Sequence, residues 1–215
     1  MSDYLFYTSF GQETFVEIPK IKWSKFLAYG QRVVHRDEAL AYLQSIRDLH
    51  PQATHHCYAY RVWVRSDTSL FWEVSLDHEY IFASDDWEPW GSAAYPIKNT
   101  IVWHNVHNCI VVVVRYYGGV NLGIGWLVQA YGDATKSCLL PKYLVQVPLQ
   151  TNVYVICTYD QISIVMHVAS LYKAHIVSQR CDIETTIFLS LNSWVVNDFV
   201  SACWEQQILV HFSNE

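Results

Sequence analysis

The 215-residue sequence lacks several features that would assign it to a familiar functional class. Its apolar runs, such as Cys109 to Val114, are far shorter than the roughly 20 residues that a membrane-spanning helix needs. The N-terminus MSDYLFYTSF has no basic region ahead of an apolar one, as a secretion signal would have. We therefore expect a soluble, cytoplasmic protein without membrane contact.

The sequence also lacks the paired CxxC spacing that is typical of zinc sites and redox motifs. Its cysteines are scattered, and most of them lie inside predicted strands or helices. This distribution favours reduced thiols buried in a core, and we expect no cofactor. The six cysteines are Cys57, Cys109, Cys138, Cys157, Cys181 and Cys203.

A basic tail is absent, and the formal net charge is −6. Strong, unspecific binding of nucleic acid depends on Lys and Arg side chains that neutralise phosphates, so this charge balance disfavours it. A local basic patch remains compatible with the sequence. The best candidate is the cluster Lys20, Lys22 and Lys25, with Arg32 and Arg36 nearby.

The stretch from Cys109 to Leu139 is the most informative part of the sequence. The run Ile110 to Val114 consists of five apolar β-branched residues, which predicts a central strand buried on both faces. Two glycine pairs follow, and then Leu127 to Cys138 shows helical spacing. The pattern predicts a strand, a tight turn and a helix.

The glycine pairs, Gly118 with Gly119 and Gly123 with Gly125, admit two interpretations. Amides at a helix start can hold an anion, and glycine allows a ligand to come close. The alternative is a turn that packs the helix closely on the sheet. The spacing matches neither the dinucleotide fingerprint nor the P-loop, because no Lys-Ser/Thr follows the last glycine.

Histidines and carboxylates form two further candidate segments. His55 and Cys57 should share one face of a predicted strand over residues 55–64, whereas His56 points to the other face. The loop with Asp85, Asp86 and Glu88 could supply a cation site or simply a turn that organises backbone amides. Together with Cys57, these segments allow a nucleophilic or metal-assisted site as one hypothesis.

The remaining pattern divides into elements that are predicted with differing clarity. The pattern predicts strands over residues 12–16 and 26–33 and a helix over residues 36–49. It also predicts an extended hairpin or surface excursion over residues 66–82 and a short strand over residues 101–103. Residues 141–148 are predicted to join two domains. Beyond them the order is β-α-β-β-α-β, with Asp160 capping the first helix and Asn192 or Ser193 the second.

Five stretches carry a resemblance to a known family. They are ATHHCYAYRV, SDDWEPWGSAAYPI, RYYGG, LGIG and LVQAYGDA, in that order along the chain. With them the chain resembles the IMPACT/YigZ family, strongly over residues 15–140 and weakly beyond. The resemblance implies an α+β protein with a ribosomal protein S5 domain 2-like N-terminal domain (residues 1–141) and a ferredoxin-like C-terminal domain (residues 142–215). It also implies a role linked to translation, and it brings no established catalytic activity with it.

Three tryptophans depart from the family pattern. Trp87 and Trp126 stand where the family usually has glycine, and Trp90 where it usually has a small residue. If the backbone needs positive φ at Trp87 or Trp126, each indole costs about 1 to 3 kcal/mol. The rings could also fill a groove that the family leaves open, or form a platform on which a base stacks.

We therefore expect a translation-associated regulatory protein that binds RNA, the ribosome or a regulatory protein partner through its N-terminal domain. The alternative is a metal-assisted hydrolase that uses His55, His56 and Cys57 with Asp85, Asp86 and Glu88. The predicted binding residues are His55, His56, Asp85, Asp86, Glu88, Arg115, Tyr116, Gly118, Gly119, Gly123 and Gly125.

Overall fold

The computed structural model describes residues 6–63, 79–182 and 184–212 of the chain. Contacts among these residues divide them into two compact units. The N-terminal unit is Thr8–Gln146; the C-terminal unit runs from Val147 onward and includes Phe6 and Tyr7. The assignment of residues 1–141 and 142–215 to two domains stays a prediction.

The N-terminal unit contains a five-stranded antiparallel sheet. Its strands in spatial order are β2, β3, β6, β4 and β5. A separate pair of strands, β1 and β7, forms a two-stranded sheet. The strands are β1 (Phe6–Phe10), β2 (Thr14–Glu17), β3 (Lys25–Arg32), β4 (His55–Trp63), β5 (Glu79–Ser84), β6 (Cys109–Tyr116) and β7 (Leu144–Pro148).

The central strand β6 is buried on both faces, as its unbroken apolar run predicts. Ile110, Val112 and Val114 pack in the cluster that includes helix α1 (Arg36–Leu49). Val111 and Val113 face the opposite cluster, which includes helices α2 (Ala94–Trp103) and α3 (Ile124–Cys138). The sheet is therefore covered by one helix on one face and by two on the other.

The prediction of a strand at residues 101–103 is wrong, because these residues end helix α2. The buried residues Ile97, Thr100 and Ile101 recur at the spacing of one helix face. The apolar residues that favoured a strand therefore contribute to the core from a helix. Pro96 lies in the first turn, where its missing amide costs no intrahelical hydrogen bond.

The C-terminal unit has the element order β-α-β-β-α-β that the sequence predicts. Its antiparallel sheet has the spatial order β11, β8, β10 and β9. The predicted α+β class is confirmed, and the ferredoxin-like name for this unit stays a prediction. The elements are β8 (Gln150–Cys157), α4 (Ile162–Leu171), β9 (His175–Cys181), β10 (Thr185–Asn192), α5 (Val196–Glu205) and β11 (Val210–Phe212).

The caps of the C-terminal helices differ from the prediction. Thr158, not Asp160, caps the short 3₁₀ helix that leads into α4, because its amide and hydroxyl both bond to the Gln161 side chain. Before α5, Asn192 makes no side-chain cap hydrogen bond, and the Ser193 hydroxyl donates to the Leu149 carbonyl instead.

The predictions for residues 66–82, for membrane contact and for the fold name of the N-terminal domain have the following outcomes. Most of the predicted excursion over residues 66–82 lies outside them, and only its end, from Glu79, is seen as part of β5. Among the described helices, none has the length and apolar character to cross a membrane. The resemblance of the N-terminal domain to ribosomal protein S5 domain 2 stays a prediction.

The burial of β6 makes a prediction about stability. Ile110 is fully buried, whereas Ile124 at the start of α3 is exposed. We expect Ile110→Ala to lower the free energy of unfolding of the N-terminal unit by about 2 to 5 kcal/mol, because it leaves a cavity. Urea unfolding followed by circular dichroism measures this. The control Ile124→Ala should change it by less than about 0.5 kcal/mol, and equal losses would contradict the assignment.

Candidate functional site

The start of β4 divides its side chains between the two faces of the sheet, as strand alternation predicts. Cys57 belongs to the core on the α2 and α3 side, whereas Tyr58 belongs to the core on the α1 side. His55 therefore lies on the Cys57 side, directly opposite Arg115 in the register of β4 and β6. His56 lies on the other side.

A buried ion pair forms the centre of the site. The Arg115 guanidinium donates to Glu88 Oε1, and the side chains of Glu88 and Arg115 are only 3% and 5% exposed. The Tyr131 hydroxyl donates to the same carboxylate oxygen at 2.7 Å, and His55 Nε2 lies 3.9 Å from it. Because both charges are buried, each needs the other and its hydrogen bonds to remain inside the protein.

Cys57 adjoins this pair but is not arranged as a nucleophile. Its thiol donates to the Asp85 carbonyl at 2.9 Å and lies 3.3 Å from the Tyr131 hydroxyl. Burial raises the pKa of the Cys57 thiol well above its ordinary value, and burial likewise raises the pKa of Tyr131. Since the thiolate is the reactive form, the geometry disfavours covalent catalysis by Cys57.

Asp85 organises the loop before α2. One carboxylate oxygen accepts from the amide of Gly91 at 2.8 Å, and the other accepts from the amides of Ala93 at 2.9 Å and Ala94 at 2.7 Å. These amides lie at the start of α2, where a negative charge is favourable. The carboxylate is thus used by the backbone, which agrees with the interpretation of this loop as an amide-organising turn.

Asp86 binds two other elements. One of its carboxylate oxygens accepts from the His56 amide at 2.7 Å, and the other accepts from the Arg47 guanidinium at 3.1 Å. Its backbone carbonyl accepts from His55 Nδ1 at 2.8 Å. The acidic loop is therefore fastened to both β4 and α1.

The metal-assisted hypothesis receives no support from these contacts. Within the described residues, no group of three or more His, Cys, Asp and Glu side chains has an arrangement that could hold a metal ion. The His56 ring donates to the His50 carbonyl at 3.2 Å, and burial lowers its pKa. His56 is thus a hydrogen-bonded residue at the packed α1 side of the sheet, where burial disfavours its charged form.

Tyr116 lies apart from the buried cluster. Its hydroxyl bonds to His50 Nδ1 at 2.9 Å, while the Tyr29 hydroxyl bonds to His50 Nε2 at 2.6 Å. These three side chains fasten the end of α1 to β3 and β6. Tyr116 and His56 therefore share the α1 side, and the other predicted side chains meet on the opposite side or in the acidic loop.

Two polar members of the cluster were not predicted. Tyr131 lies on α3 among apolar residues at helical spacing, so the sequence pattern shows it only as a core residue. Ser24 is fully buried, and its hydroxyl accepts from Arg115 Nη2 at 3.4 Å and from the Gly118 amide at 3.2 Å. In the sequence Ser24 stands between Trp23 and Lys25, and this local pattern does not indicate that its hydroxyl is buried.

The glycines have different roles. A Cβ at Gly118 would lie 2.2 Å from the backbone carbon of Trp23, so glycine is required there by the close approach of two chain segments. Gly119 has φ of +82°. Gly123 and Gly125 face open space at the start of α3, and no side chain caps this helix.

The segment against Gly118 is a tight turn from Ile21 to Ser24, with positive φ at Lys22 and Trp23. Lys22 Nζ lies 5.6 Å from the centre of the Trp126 ring. Trp23 and Trp126 are 76% and 50% exposed. We define a turn surface at the ends of β3, β6 and the glycine turn. It consists of Lys22, Trp23, Tyr117, Ile124 and Trp126.

The tryptophans of the acidic loop do not cover the cluster. Trp87 is 95% exposed and Trp90 is also exposed, so both rings project into solvent. Trp87 has φ of +71°, which fulfils the condition for strain, whereas Trp126 lies in α3 and does not have positive φ. The predicted site residues consequently form a buried polar cluster, and the exposed rings of Trp87 and Trp90 do not fill a groove over it.

These features define a class of protein: two α+β units, the first with a buried polar cluster below a glycine-rich turn. The chain belongs to the IMPACT family, since residues 22–139 match the Impact N-terminal domain. It is 31% identical over 188 residues to an IMPACT family member of Haemophilus influenzae, covering 87% of this chain and 86% of the relative. It is 33% identical over 146 residues to the IMPACT family member YigZ of Escherichia coli, covering 68% and 67%.

A solved structure supports the fold. It is titled as the crystal structure of a hypothetical protein, and it aligns with a TM-score of 0.73 over 96% of this chain and 97% of its own. At 24% sequence identity, this likeness shows the arrangement of elements alone.

The backbone at Trp87 leads to a stability prediction. Because positive φ strains a residue with a Cβ, Trp87→Gly should raise the free energy of unfolding by about 1 kcal/mol. Trp90→Gly is the matched control, since Trp90 lacks positive φ and its ring contacts Tyr95. Denaturant unfolding compares the two variants, and a loss of stability in Trp87→Gly would show that the strain is absent or compensated.

The thiols give a second prediction. Cys181 on β9 is exposed, and the other five cysteines are buried. A thiol-reactive chromogenic disulfide at pH 8 should therefore modify one thiol rapidly in the folded protein and the rest only after unfolding. Cys181→Ser should remove the rapid phase. A rapid phase that disappears in Cys57→Ser instead would revive the nucleophile hypothesis.

Proposed function

We propose that this chain is a cytoplasmic, translation-associated regulatory protein that binds RNA of the ribosome through the turn surface of its N-terminal unit. The observation that carries the proposal is the contact between Lys22 and Trp126, which joins a lysine turn to the glycine turn and to the start of α3. Family membership supports the link to translation, since that is what the resemblance implies.

The turn surface offers groups for phosphates. Lys25 pairs with Glu17 at 3.2 Å, whereas no described carboxylate lies within ion-pair distance of Lys20 or Lys22. Lys22 lies close to Trp126 in the first turn of α3, and no described atom outside the adjoining chain lies within 4 Å of the Cβ positions of Gly123 and Gly125 at the start of this helix. Positive side chains next to a helix start favour an anion such as a backbone phosphate.

The same surface offers groups for bases. The rings of Trp23 and Trp126 are exposed, and every base has a face that can stack on an aromatic ring. Because the whole chain carries a formal charge of −6, ribosome binding through this patch should depend on its local positive side chains and should weaken as salt rises.

The buried cluster has a defined part in this function. Ser24 closes the lysine turn, and its hydroxyl accepts from both Arg115 and the Gly118 amide. The ion pair between Arg115 and Glu88 thus fixes the turn that presents Lys22. In this function the predicted residues of the cluster hold the binding surface in place, and they do not contact RNA themselves.

The protein-partner alternative has one observation in its favour, the exposure of Trp87 and Trp90 on the acidic loop. Large exposed apolar side chains are typical of sites that another protein covers. The hydrolase alternative has less support, because Cys57 is a buried thiol and the Asp85 and Asp86 carboxylates bind backbone amides and Arg47.

Co-sedimentation with ribosomes tests the proposal. We expect the wild-type chain to pellet with ribosomes at low salt, and Trp126→Leu to weaken this binding by about 5- to 100-fold through lost base stacking. Lys22→Gln should weaken binding and also reduce its salt dependence.

Trp103→Leu provides the matched control, because Trp103 is an exposed tryptophan at the end of α2, outside the turn surface. Its binding should equal that of the wild type. If the wild type does not pellet at low salt, or if the control loses as much binding as Trp126→Leu, the proposal is wrong. Loss of binding in Trp87→Ala alone would favour the acidic loop and a protein contact.

A further inference from the structure

The C-terminal sheet has one face that its own helices do not cover. On the covered face, Val153, Val155 and Cys157 of β8 and Ile187 and Leu189 of β10 form the core with α4 and α5. The alternate residues point the other way. We call this second side the open face, and it includes Tyr154, Ser178, Arg180, Thr186, Phe188 and His211.

Three rings form a row across the centre of the open face. Tyr154 on β8 is the direct cross-strand partner of Phe188 on β10 and of His211 on β11. Its ring centre lies 5.7 Å from that of Phe188, and 4.9 Å from that of His211 at an interplanar angle of 12°. Cross-strand aromatic pairs stabilise a sheet, but here the rings also remain half-exposed on its outer side.

The strands that form the open face carry no acidic residue, although their unit is acidic. Residues 143–215 contain six Asp and Glu but only Lys173 and Arg180 as basic residues. None of the six lies in β8, β9, β10 or β11, and Arg180 is the one Lys or Arg on these strands. The carboxylates nearest in sequence are Asp182 and Glu184, in the turn between β9 and β10. The sheet is therefore neutral to basic within an acidic unit.

Arg180 is placed with the rings. Its guanidinium carbon lies 5.6 Å from the centre of the Phe188 ring, and it pairs in register with Thr186. A guanidinium beside an aromatic ring can contact a phosphate while the ring stacks with the attached base. Ser178 and Thr186 add hydroxyls that can bond to base edges.

We propose that the open face binds unpaired nucleotides of a single-stranded nucleic acid, with Tyr154 and Phe188 stacking on bases and Arg180 contacting a phosphate. The two rings lie on the first and third strands of the β-α-β-β-α-β order, and a four-stranded sheet with central aromatic residues is a known way to stack two or three bases. This site goes beyond the proposed function, because a different unit and different residues form it.

Fluorescence anisotropy with labelled octanucleotides tests the site in the full-length chain. Tyr154→Leu and Phe188→Leu should each weaken binding of a uridine-rich octamer by about 5- to 100-fold, whereas Phe188→Tyr should retain it. Arg180→Gln should reduce the slope of log affinity against log salt by about 0.7. The deoxyribose octamer of the same sequence shows whether the ribose hydroxyl contributes, and binding of either octamer at this face supports the proposal.

Tyr159→Leu is the matched control, since Tyr159 is an exposed tyrosine of the same unit outside the sheet. The proposal is overturned if the wild type binds neither octamer at low salt, or if folded Tyr154→Leu and Phe188→Leu bind like the control. Circular dichroism reports folding. Should the leucine variants unfold, photo-cross-linking of a thiouridine octamer to the wild type decides: cross-links in β8 or β10 support the site, and cross-links confined to residues 8–146 overturn it.

The two proposals fail separately. If Lys22→Gln and Trp126→Leu leave ribosome binding unchanged while Tyr154→Leu weakens octamer binding, the turn surface is wrong and the open face stands. The reverse result removes the open face and leaves the turn surface in place.

Discussion

The ion pair between Glu88 and Arg115 is the constraint on which the N-terminal unit depends. Arg115 lies on the central strand and Glu88 on the acidic loop. The Tyr131 hydroxyl on α3 donates a further hydrogen bond to the Glu88 carboxylate. Removing one partner of a buried pair costs about 3 to 5 kcal/mol, because the remaining charge stays desolvated. The pair therefore selects one arrangement of strand, loop and helix, and through Ser24 it also fixes the lysine turn.

The parts of the fold that local patterns determine could be predicted from the sequence. The unbroken apolar run of β6 predicted a strand buried on both faces, and the helix predicted over residues 36–49 is observed as α1. The alternation in residues 150–212 predicted the C-terminal element order. In each of these segments the hydrophobic period determines the type of element, so local information is sufficient for the order of elements, although not for the caps of α4 and α5.

Helix α2 could not be predicted from its own residues. Ile101, Val102 and Trp103 favour a strand locally, but the helix begins where the Asp85 carboxylate accepts from the amides of Ala93 and Ala94. That interaction depends on how the acidic loop is fastened to β4 and α1. Tertiary context overrides local propensity here.

The candidate site shows the same limit. Strand alternation correctly separated His55 and Cys57 from His56, and the meeting of the histidine strand with the acidic loop is seen in the contacts of Asp86. The register of β4 against β6 places Arg115 opposite His55, the register of β3 against β6 brings Ser24 to Arg115, and helix α3 brings Tyr131 to Glu88. Burial of the cluster is likewise a consequence of packing between distant segments, which no local pattern encodes.

The distribution of the cysteines has a consequence for the behaviour of the protein outside a reducing environment. Cys181 lies on the edge strand β9, and the other five thiols are enclosed in the cores. A folded chain therefore offers a single exposed thiol to an oxidant, so air oxidation can join molecules in pairs through a disulfide but cannot extend them into a polymer. Disulfide-linked species larger than two chains would report that one of the cores had opened.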